Sequence, residues 1–330
     1  MLNVQQIFDL GIKMGVAADP RGKAGVERYF KRLKQYYAEL PEREKKYYDQ
    51  SKLSNPYADS AIHVDTGLKN VKRVMAGIDV GAADILTANT LNGRGRTVDL
   101  VIAHHPVGKA LANLHEVMEM SVDMFESLGL PSHVAEKITE ERMREVERSV
   151  HAVNHYQPVN VAELLGINFI NTHTITDNLV DKFIVDYLAK HKPDTVGDLM
   201  DVIMEIPEYQ LAKKQGAGPF VVLGNRRHRV GKYVVEMTGG TEPWAKVYKA
   251  FSRAGVSTVI SMHMRPEPVD RANESLMNVV ILGHMSSDSL GMNLYLDELE
   301  KQRIEVVPCG GLIRVSRVKK STVESKPKKK

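Results

Sequence analysis

The sequence lacks the features that would distinguish it from ordinary globular proteins. It contains one cysteine, Cys309, so no disulfide can form within the chain, and we expect a reducing, cytoplasmic setting. No stretch approaches the roughly 20 apolar residues of a membrane-spanning helix, so we expect no membrane partner. Residues 1–16 are interrupted by Asp9 and Lys13 and lack the features of a signal peptide.

Positive and negative charges are also nearly balanced. The 330 residues include 45 Lys and Arg against 41 Asp and Glu, a net charge of +4. Residues 319–330 contain six lysines and one glutamate, so the rest of the chain is close to neutral. We therefore expect no nucleic-acid partner. The basic tail is predicted to be disordered and solvated, and the alternative is a weak, salt-sensitive contact with a polyanion.

Apolar runs alternate with helical patterns, which is typical of an α/β fold. Apolar residues make up 43% of the chain and charged residues 26%, as in most globular proteins. Strands are predicted at residues 71–80, 98–103, 167–171, 220–223, 233–237, 258–262, 279–282, 304–307 and 312–318.

The predicted elements divide the chain into four parts. Residues 1–50 form a helical extension, 51–195 a first α/β domain, 196–318 a second α/β part, and 319–330 the tail. The first domain contains a helical insertion at residues 109–150. One apolar stripe is predicted along it, and Gly129 and Pro131 break it into two helices; the stripe consists of Leu111, Leu114, Met118 and Phe125.

Histidines follow three of the predicted strands directly. These are the adjacent pair His104 and His105, then His173, and then His284. Ligands of α/β sheets gather at the carboxyl ends of strands, where loops converge. Neighbouring side chains on a strand point to opposite faces. The adjacent pair can therefore serve one cluster only if the backbone leaves the strand at Pro106, or each histidine binds a different ion of a close metal pair.

Two of these histidines have an aspartate four residues later. His173 is followed by Asp177, and His284 by Asp288, a spacing of one helical turn that lets both side chains face one point. Imidazole together with carboxylate suits Mn, Fe, Co, Ni or Zn. The sequence therefore predicts a metal site, and His263, which also follows a strand, is expected near it.

The sequences of these motifs, and their order along the chain, match those of a known family. Residues 99–106 read DLVIAHHP, residues 173–177 read HTITD, and residues 283–288 read GHMSSD. With them, the chain resembles the Nif-three-like dinuclear metal-centre family, also called the GTP cyclohydrolase type 2 family. The match runs in order from about residue 65 to 318.

The resemblance implies a Nif-three-like fold of two α/β domains with mixed sheets, assembled as a homohexamer. It places two divalent ions, among Zn, Mn, Fe, Co and Ni, at the carboxyl ends of strands between the domains. The implied ligands are His104, His105, Asp177, His284 and Asp288, with His173 nearby.

The implied function is metal-dependent hydrolysis of a small anionic or nucleotide-like substrate through a metal-activated water. The rival hypothesis is a non-catalytic hexameric scaffold or regulatory protein that binds metal. The sequence identifies no catalytic residue. Lys109, Arg94 and Arg96 are candidates to hold the anionic groups of a substrate.

The chain departs from the family pattern in several places. Asp288 stands where the family usually has glutamate, and its side chain is one methylene shorter for bridging two ions. Met262 and His263 replace a glycine–acidic pair. The segment between His105 and His173 is longer than usual, and we expect residues 109–150 to lie near a subunit boundary or the mouth of the site.

Overall fold

Apolar runs rich in valine and isoleucine form two mixed β-sheets. The computed structural model describes residues 2–318, and the predicted tail at 319–330 lies outside the described residues. The strands are β1 (Ser60–Val64), β2 (Arg73–Gly77), β3 (Leu100–Ala103), β4 (Phe169–Thr172), β5 (Phe220–Leu223), β6 (Lys232–Glu236), β7 (Val256–Ser261), β8 (Asn278–Ile281) and β9 (Glu305–Cys309).

Helices connect most of these strands and cover the sheets. They are α1 (Val4–Ala18), α2 (Gly22–Glu39), α3 (Glu42–Lys45), α4 (Ala82–Gly93), α5 (Gly108–Ala112), α6 (Leu114–Val117), α7 (Met120–Ser127), α8 (Ser132–His151), α9 (Gln157–Leu165), α10 (His173–His191), α11 (Val196–Ile203), α12 (Pro207–Lys214), α13 (Val247–Arg253), α14 (Pro266–Glu274) and α15 (His284–Lys301), with a 3-10 helix at Gln50–Leu53. No helix among residues 2–318 is long and apolar enough to cross a membrane.

The two sheets share one plan. The first has the order β1-β4-β3-β2-β9 and the second the order β5-β8-β7-β6. Four strands run parallel in the first sheet and three in the second, and in each sheet one edge strand, β1 or β5, pairs antiparallel. All four residues of β3 and of β8 are buried, as expected for strands covered on both faces. The predicted α/β class with two mixed sheets is confirmed.

The last strand returns to the first sheet. β9 pairs in parallel with β2, although it falls within the predicted second part of the chain. The division of the chain at residue 195 stays a prediction.

Two strand predictions differ from the structure. β1 was not predicted, and residues 312–318 form no strand. In that segment side chains replace a neighbouring strand as hydrogen-bond partners. Ser289 Oγ accepts from the Ile313 amide at 3.0 Å, and Asn293 Nδ2 donates to the Ile313 carbonyl at 2.9 Å. These polar side chains belong to α15. The apolar pattern of residues 312–318 could not show whether the backbone of the segment pairs with a strand or with side chains of a helix.

Helices α10 and α15 pack closely against each other between the two sheets. α10 follows β4 of the first sheet, and α15 follows β8 of the second. A Cβ atom at Gly291 would lie 2.3 Å from the Thr176 carbonyl oxygen, so only glycine permits this approach. Gly283, with φ of 100°, allows the tight turn from β8 into α15. The packing brings the first turns of both helices together.

Candidate metal centre

Four histidines meet where β3, α10 and α15 converge. His104 and His105 leave the end of β3, His173 begins α10, and His284 begins α15. The ring centroids of His104 lie 5.0 Å from those of both His105 and His173, and His105 lies 5.1 Å from His284. The structure therefore gathers all the strand-end histidines that the sequence singled out.

Two carboxylates lie at the centre of these rings. Asp177 and Asp288 are each one turn into α10 and α15, as the four-residue spacing requires, and both are buried. His104 Nε2 lies 3.4 Å from Asp177 Oδ1 and 3.5 Å from Asp288 Oδ1. We call His104, Asp177 and Asp288 the inner group, because the side chains are at most 6% exposed.

A second set of ligand atoms shares Asp288. His105 Nε2 and His284 Nε2 each lie 3.3 Å from Asp288 Oδ2. We call His105, His284 and Asp288 the outer group, since the two imidazoles are 24% and 40% exposed. Asp288 thus turns one oxygen to each group, although its side chain is shorter than glutamate.

Hydrogen bonds on the far side of three of the rings orient their Nε2 atoms inward. Thr176 Oγ1 donates to the Thr172 carbonyl at 2.6 Å, so it accepts from His104 Nδ1 at 2.9 Å. His105 Nδ1 donates to Asp79 Oδ1 at 2.7 Å, and His173 Nδ1 to Asp59 Oδ2 at 2.7 Å. A neutral imidazole that donates from Nδ1 presents a lone pair at Nε2. Such outer contacts are typical of metal-binding histidines.

The cluster leaves buried polar atoms without partners. His104 Nε2, Asp177 Oδ1 and both carboxylate oxygens of Asp288 have no hydrogen-bond partner among the described residues. Buried polar atoms normally do have one. A lone pair that faces carboxylate oxygens is repelled unless a cation lies between them. The donor atoms and their spacing therefore fit a divalent metal, and these clusters could hold an ion.

The charge balance agrees with this interpretation. Burial, together with the charges of Asp288, Asp59 and Asp181, raises the pKa of Asp177 well above its usual value. Burial alone would raise the pKa of Asp288 too, but His104 and the other nearby histidines outweigh it and hold that pKa well below its usual range. Burial lowers the pKa of His104 to about 4. The inner imidazole is therefore neutral at physiological pH, which is the form that binds metal.

His105 differs from His104 in its protonation. Burial alone lowers the pKa of His105, but the nearby carboxylate of Asp288 and the hydrogen bond with Asp79 outweigh that effect and raise the pKa to about 9. Without an ion, a proton on His105 compensates the nearby carboxylates. An ion in the outer group would take the place of that proton.

His173 and His263 lie beside the two groups. His173 Nε2 is 3.8 Å from Asp177 Oδ2, and it forms a possible three-nitrogen ligand set with His104 and His105. The ring of His263 lies 4.6 Å from that of His284. It belongs to none of the ligand sets that the described residues form.

The structure does not bring the three candidate anion-binding residues to the cluster. Lys109 Nζ forms an ion pair with Asp49 at 3.0 Å. Arg94 and Arg96 are exposed in the loop before β3, whereas His104 follows the opposite end of that strand. Charge alone suggested these residues, and their position on the sheet was not visible in the sequence pattern.

Sequence reasoning missed the residues that orient the imidazoles. Asp59 precedes the unpredicted β1, Asp79 follows β2, and Thr176 lies within the HTITD motif. Asp79 had a usable signal, because it lies near the carboxyl end of the strand predicted at residues 71–80. Asp59 had none, since its strand was not recognised.

The helical insertion reaches the site. Ser121, Met124, Phe125 and Leu128 line a cavity together with His173, Asp177, His284 and Asp288. The expectation that residues 109–150 approach the mouth of the site agrees with this position. The insertion forms four helices, α5 to α8, where two were expected.

Comparison with known proteins gives structural matches only. No protein-family model and no curated protein sequence matches the chain. The crystal structure of a NIF3 superfamily protein from Sphaerobacter thermophilus is 28% identical, with a TM-score of 0.73, and the match covers 94% of this chain and 99% of that one.

More distant structures also match. Reduced HcgD from Methanocaldococcus jannaschii is 13% identical with a TM-score of 0.48, covering 78% of this chain and 95% of that one. A Bacillus cereus protein related to NIF3 is 13% identical with a TM-score of 0.38, covering 76% and 91%.

The match to the Sphaerobacter thermophilus protein covers nearly the whole of both chains. The resemblance inferred from the motifs is therefore confirmed, and the chain is similar in fold to a NIF3 superfamily protein over nearly its whole length.

Proposed function

We propose that the protein is a dinuclear metal-dependent hydrolase, similar to the GTP cyclohydrolase type 2 family, acting on a small anionic or nucleotide-like substrate. One ion would be held by the inner group and one by the outer group, with Asp288 bridging them. The observation that carries the proposal is the position of Asp288, whose buried Oδ1 faces His104 Nε2 and whose buried Oδ2 faces the Nε2 atoms of His105 and His284.

The chain's own residues prepare the site for this chemistry. A pair of divalent ions lowers the pKa of a water molecule and polarises the bond under attack. Thr176 and Asp79 hold His104 and His105 so that their Nε2 lone pairs point into the cluster. The exposed fraction of His284, 40%, leaves the outer group open to a substrate from solvent.

The proposal is tested by metal loading followed by activity profiling. Metal-free protein is loaded separately with Mn, Fe, Co, Ni and Zn, and bound metal is counted by mass spectrometry. Each form is then assayed on panels of nucleotides, GTP among them, and of phosphoesters. We expect two ions per chain and turnover that requires them.

A matched pair of variants separates site chemistry from trace contamination. His104→Ala removes a buried inner imidazole, whereas His151→Ala removes an exposed one at the end of α8. Turnover should disappear in the first and persist in the second. Two bound ions without turnover on any panel would favour the non-catalytic scaffold, and fewer than two ions would contradict the dinuclear centre.

The cytoplasmic homohexamer implied by the resemblance belongs to the same proposal. A ring that encloses the sites would restrict access to small substrates. Light scattering at micromolar concentration should report six chains, and a monomer would contradict the assembly without affecting the metal assignment.

A further inference from the structure

A cavity lies directly against the candidate metal centre. Its volume is about 70 Å³, which is room for about five water molecules. His173, Asp177, His284 and Asp288 form one wall, so a molecule bound at the metals would extend from them into this space. The cavity is therefore positioned to receive the part of a substrate next to the bond that reacts.

The opposite walls are mainly apolar and come from different parts of the chain. Met124, Phe125 and Leu128 belong to the helical insertion, and Val234 and Met237 come from β6 and the residue after it. Phe125 and Val234 belong to one buried apolar cluster, with exposures of 5% and 6%. The insertion thus meets the second sheet around the cavity, and these fixed side chains favour apolar atoms.

The polar lining of the cavity offers no fixed positive charge. None of the residues that line it within 2–318 is a lysine or an arginine. Glu242 accepts a hydrogen bond from the Arg265 amide at 3.1 Å and is paired with its guanidinium group. The negative charge of Glu242 is therefore balanced by Arg265, and the guanidinium group of Arg265 is not free to bind an anion in the cavity.

Glu236 is the remaining acid in the lining outside the wall that faces the metals. Its Oε2 accepts from the Tyr248 hydroxyl at 3.1 Å, and its buried Oε1 has no partner among the described residues. Burial raises the pKa of Glu236 to about 8, so the carboxyl is mostly uncharged at neutral pH. A phosphate group entering the cavity would meet apolar carbon, carboxyl groups, imidazoles and the hydroxyls of serine and threonine, and no lysine or arginine among the described residues.

We propose that the cavity binds a small, uncharged, largely apolar group of the substrate, adjacent to the group held by the metals, and that it excludes phosphate. This inference rests on the proposed metal centre. It narrows the substrate class, because any anionic group must then bind at the metals or point away from the cavity.

Three hydroxamate probes test the inference by calorimetry on metal-loaded wild-type protein. Acetohydroxamate supplies the metal-binding head alone, and butyrohydroxamate adds two methylenes. Phosphonoacetohydroxamate carries the same head with a phosphonate. We expect the Kd of butyrohydroxamate to be about tenfold lower than that of acetohydroxamate. Phosphonoacetohydroxamate should bind no more tightly than acetohydroxamate.

A variant of the cavity wall tests whether the higher affinity of butyrohydroxamate arises from contacts in the cavity. Leu128→Ala should reduce the advantage of butyrohydroxamate to about threefold while leaving the Kd of acetohydroxamate unchanged. Leu164→Ala, at a leucine that is 86% exposed on α9, is the matched control and should keep the full advantage. The comparison of the three probes on wild-type protein stands even if Leu128→Ala does not fold.

The outcomes separate this inference from the proposed function. Equal affinity of the acetyl and butyryl probes, or tighter binding of the phosphonate probe, would overturn the cavity assignment while the metal centre stands. Failure of acetohydroxamate to bind, or absence of bound metal, would overturn the proposed function and the inference with it.

Discussion

The inner and outer groups share Asp288 but differ in exposure and in protonation. The inner imidazole, His104, is 1% exposed and has its pKa lowered to about 4 by burial. The outer imidazole, His105, is 24% exposed, and its carboxylate partners overcome the effect of burial and raise its pKa to about 9. Two histidines that are adjacent in sequence therefore enter quite different environments.

The deeper burial of His104 and the partners on the far side of the two rings together account for the difference. His104 Nδ1 donates to the neutral hydroxyl of Thr176, whereas His105 Nδ1 donates to the charged carboxylate of Asp79. An ion in the inner group would be enclosed and would bind an imidazole that is already neutral. An ion in the outer group would compete with a proton and remain accessible to water. We therefore expect the outer ion to exchange faster.

The largest effect is expected at the residue that the two groups share. Asp288→Ala removes both carboxylate oxygens, so we expect bound metal to fall from two ions per chain to none under dilute conditions. Mass spectrometry after gel filtration measures this. Asp288→Glu, which restores a carboxylate of the length usual in similar proteins, should retain metal. Two tightly bound ions in Asp288→Ala would refute its bridging position.

Removing one imidazole at a time should separate the groups. We expect His104→Ala and His284→Ala each to retain one ion per chain. The ion left in His284→Ala should be lost to a chelator more slowly than the ion left in His104→Ala, because the inner group is buried. Stopped-flow chelation measures both rates. Equal rates would contradict the distinction between inner and outer ions.

Smaller effects are expected from the residues behind the rings. Asp79→Asn should weaken the outer ion by roughly 10–100-fold and leave the inner one unchanged, and Thr176→Val should do the reverse. Asp79 has a side chain that is 71% exposed, so its replacement should not disturb folding. Competition titrations with a metal indicator give both affinities. Loss of the same ion in both variants would be inconsistent with the two sets of contacts.

The smallest effect on metal is expected at a buried acid outside both groups. Asp181 lies one turn after Asp177, and burial raises its pKa to about 7. Its folded pKa exceeds the value of about 3.9 in the unfolded chain, so its contribution to stability falls as pH rises between the two values.

Asp181→Asn should therefore raise the Tm at about pH 8 by several degrees, change it much less at about pH 4, and leave metal binding intact. Thermal denaturation at the two pH values checks the first part and metal counting the second. A lower Tm at about pH 8 would show that the ionised carboxylate is stabilised in the fold.

The residues that meet at the candidate metal centre could be picked out from the sequence because strand ends and a four-residue helical spacing are local features. His173 and Asp177 needed only the end of β4 and one turn of α10. The separation into two groups could not be predicted, because it depends on contacts between α10 and α15 and on the glycine at 291 that lets them approach. The cavity could not be predicted either, because its walls come from α7, β6 and both metal-facing helices.

The fold shows the same limit. The buried strands of the two sheets were visible as apolar runs, but β1 was missed, because its residues include His63 and it follows a loop with no clear boundary. The sequence also gave no sign that β9 returns to the first sheet. Pairing between distant strands depends on the whole topology and leaves no mark in a local pattern.

The most direct test of the account is a crystal structure of metal-loaded protein with anomalous diffraction data collected at the metal edge. We predict two anomalous peaks per chain, about 3.5–4 Å apart. One should be bound by His104 and Asp177, the other by His105 and His284, with Asp288 between them. A single peak, or two peaks that do not share Asp288, would contradict the dinuclear centre proposed for this protein.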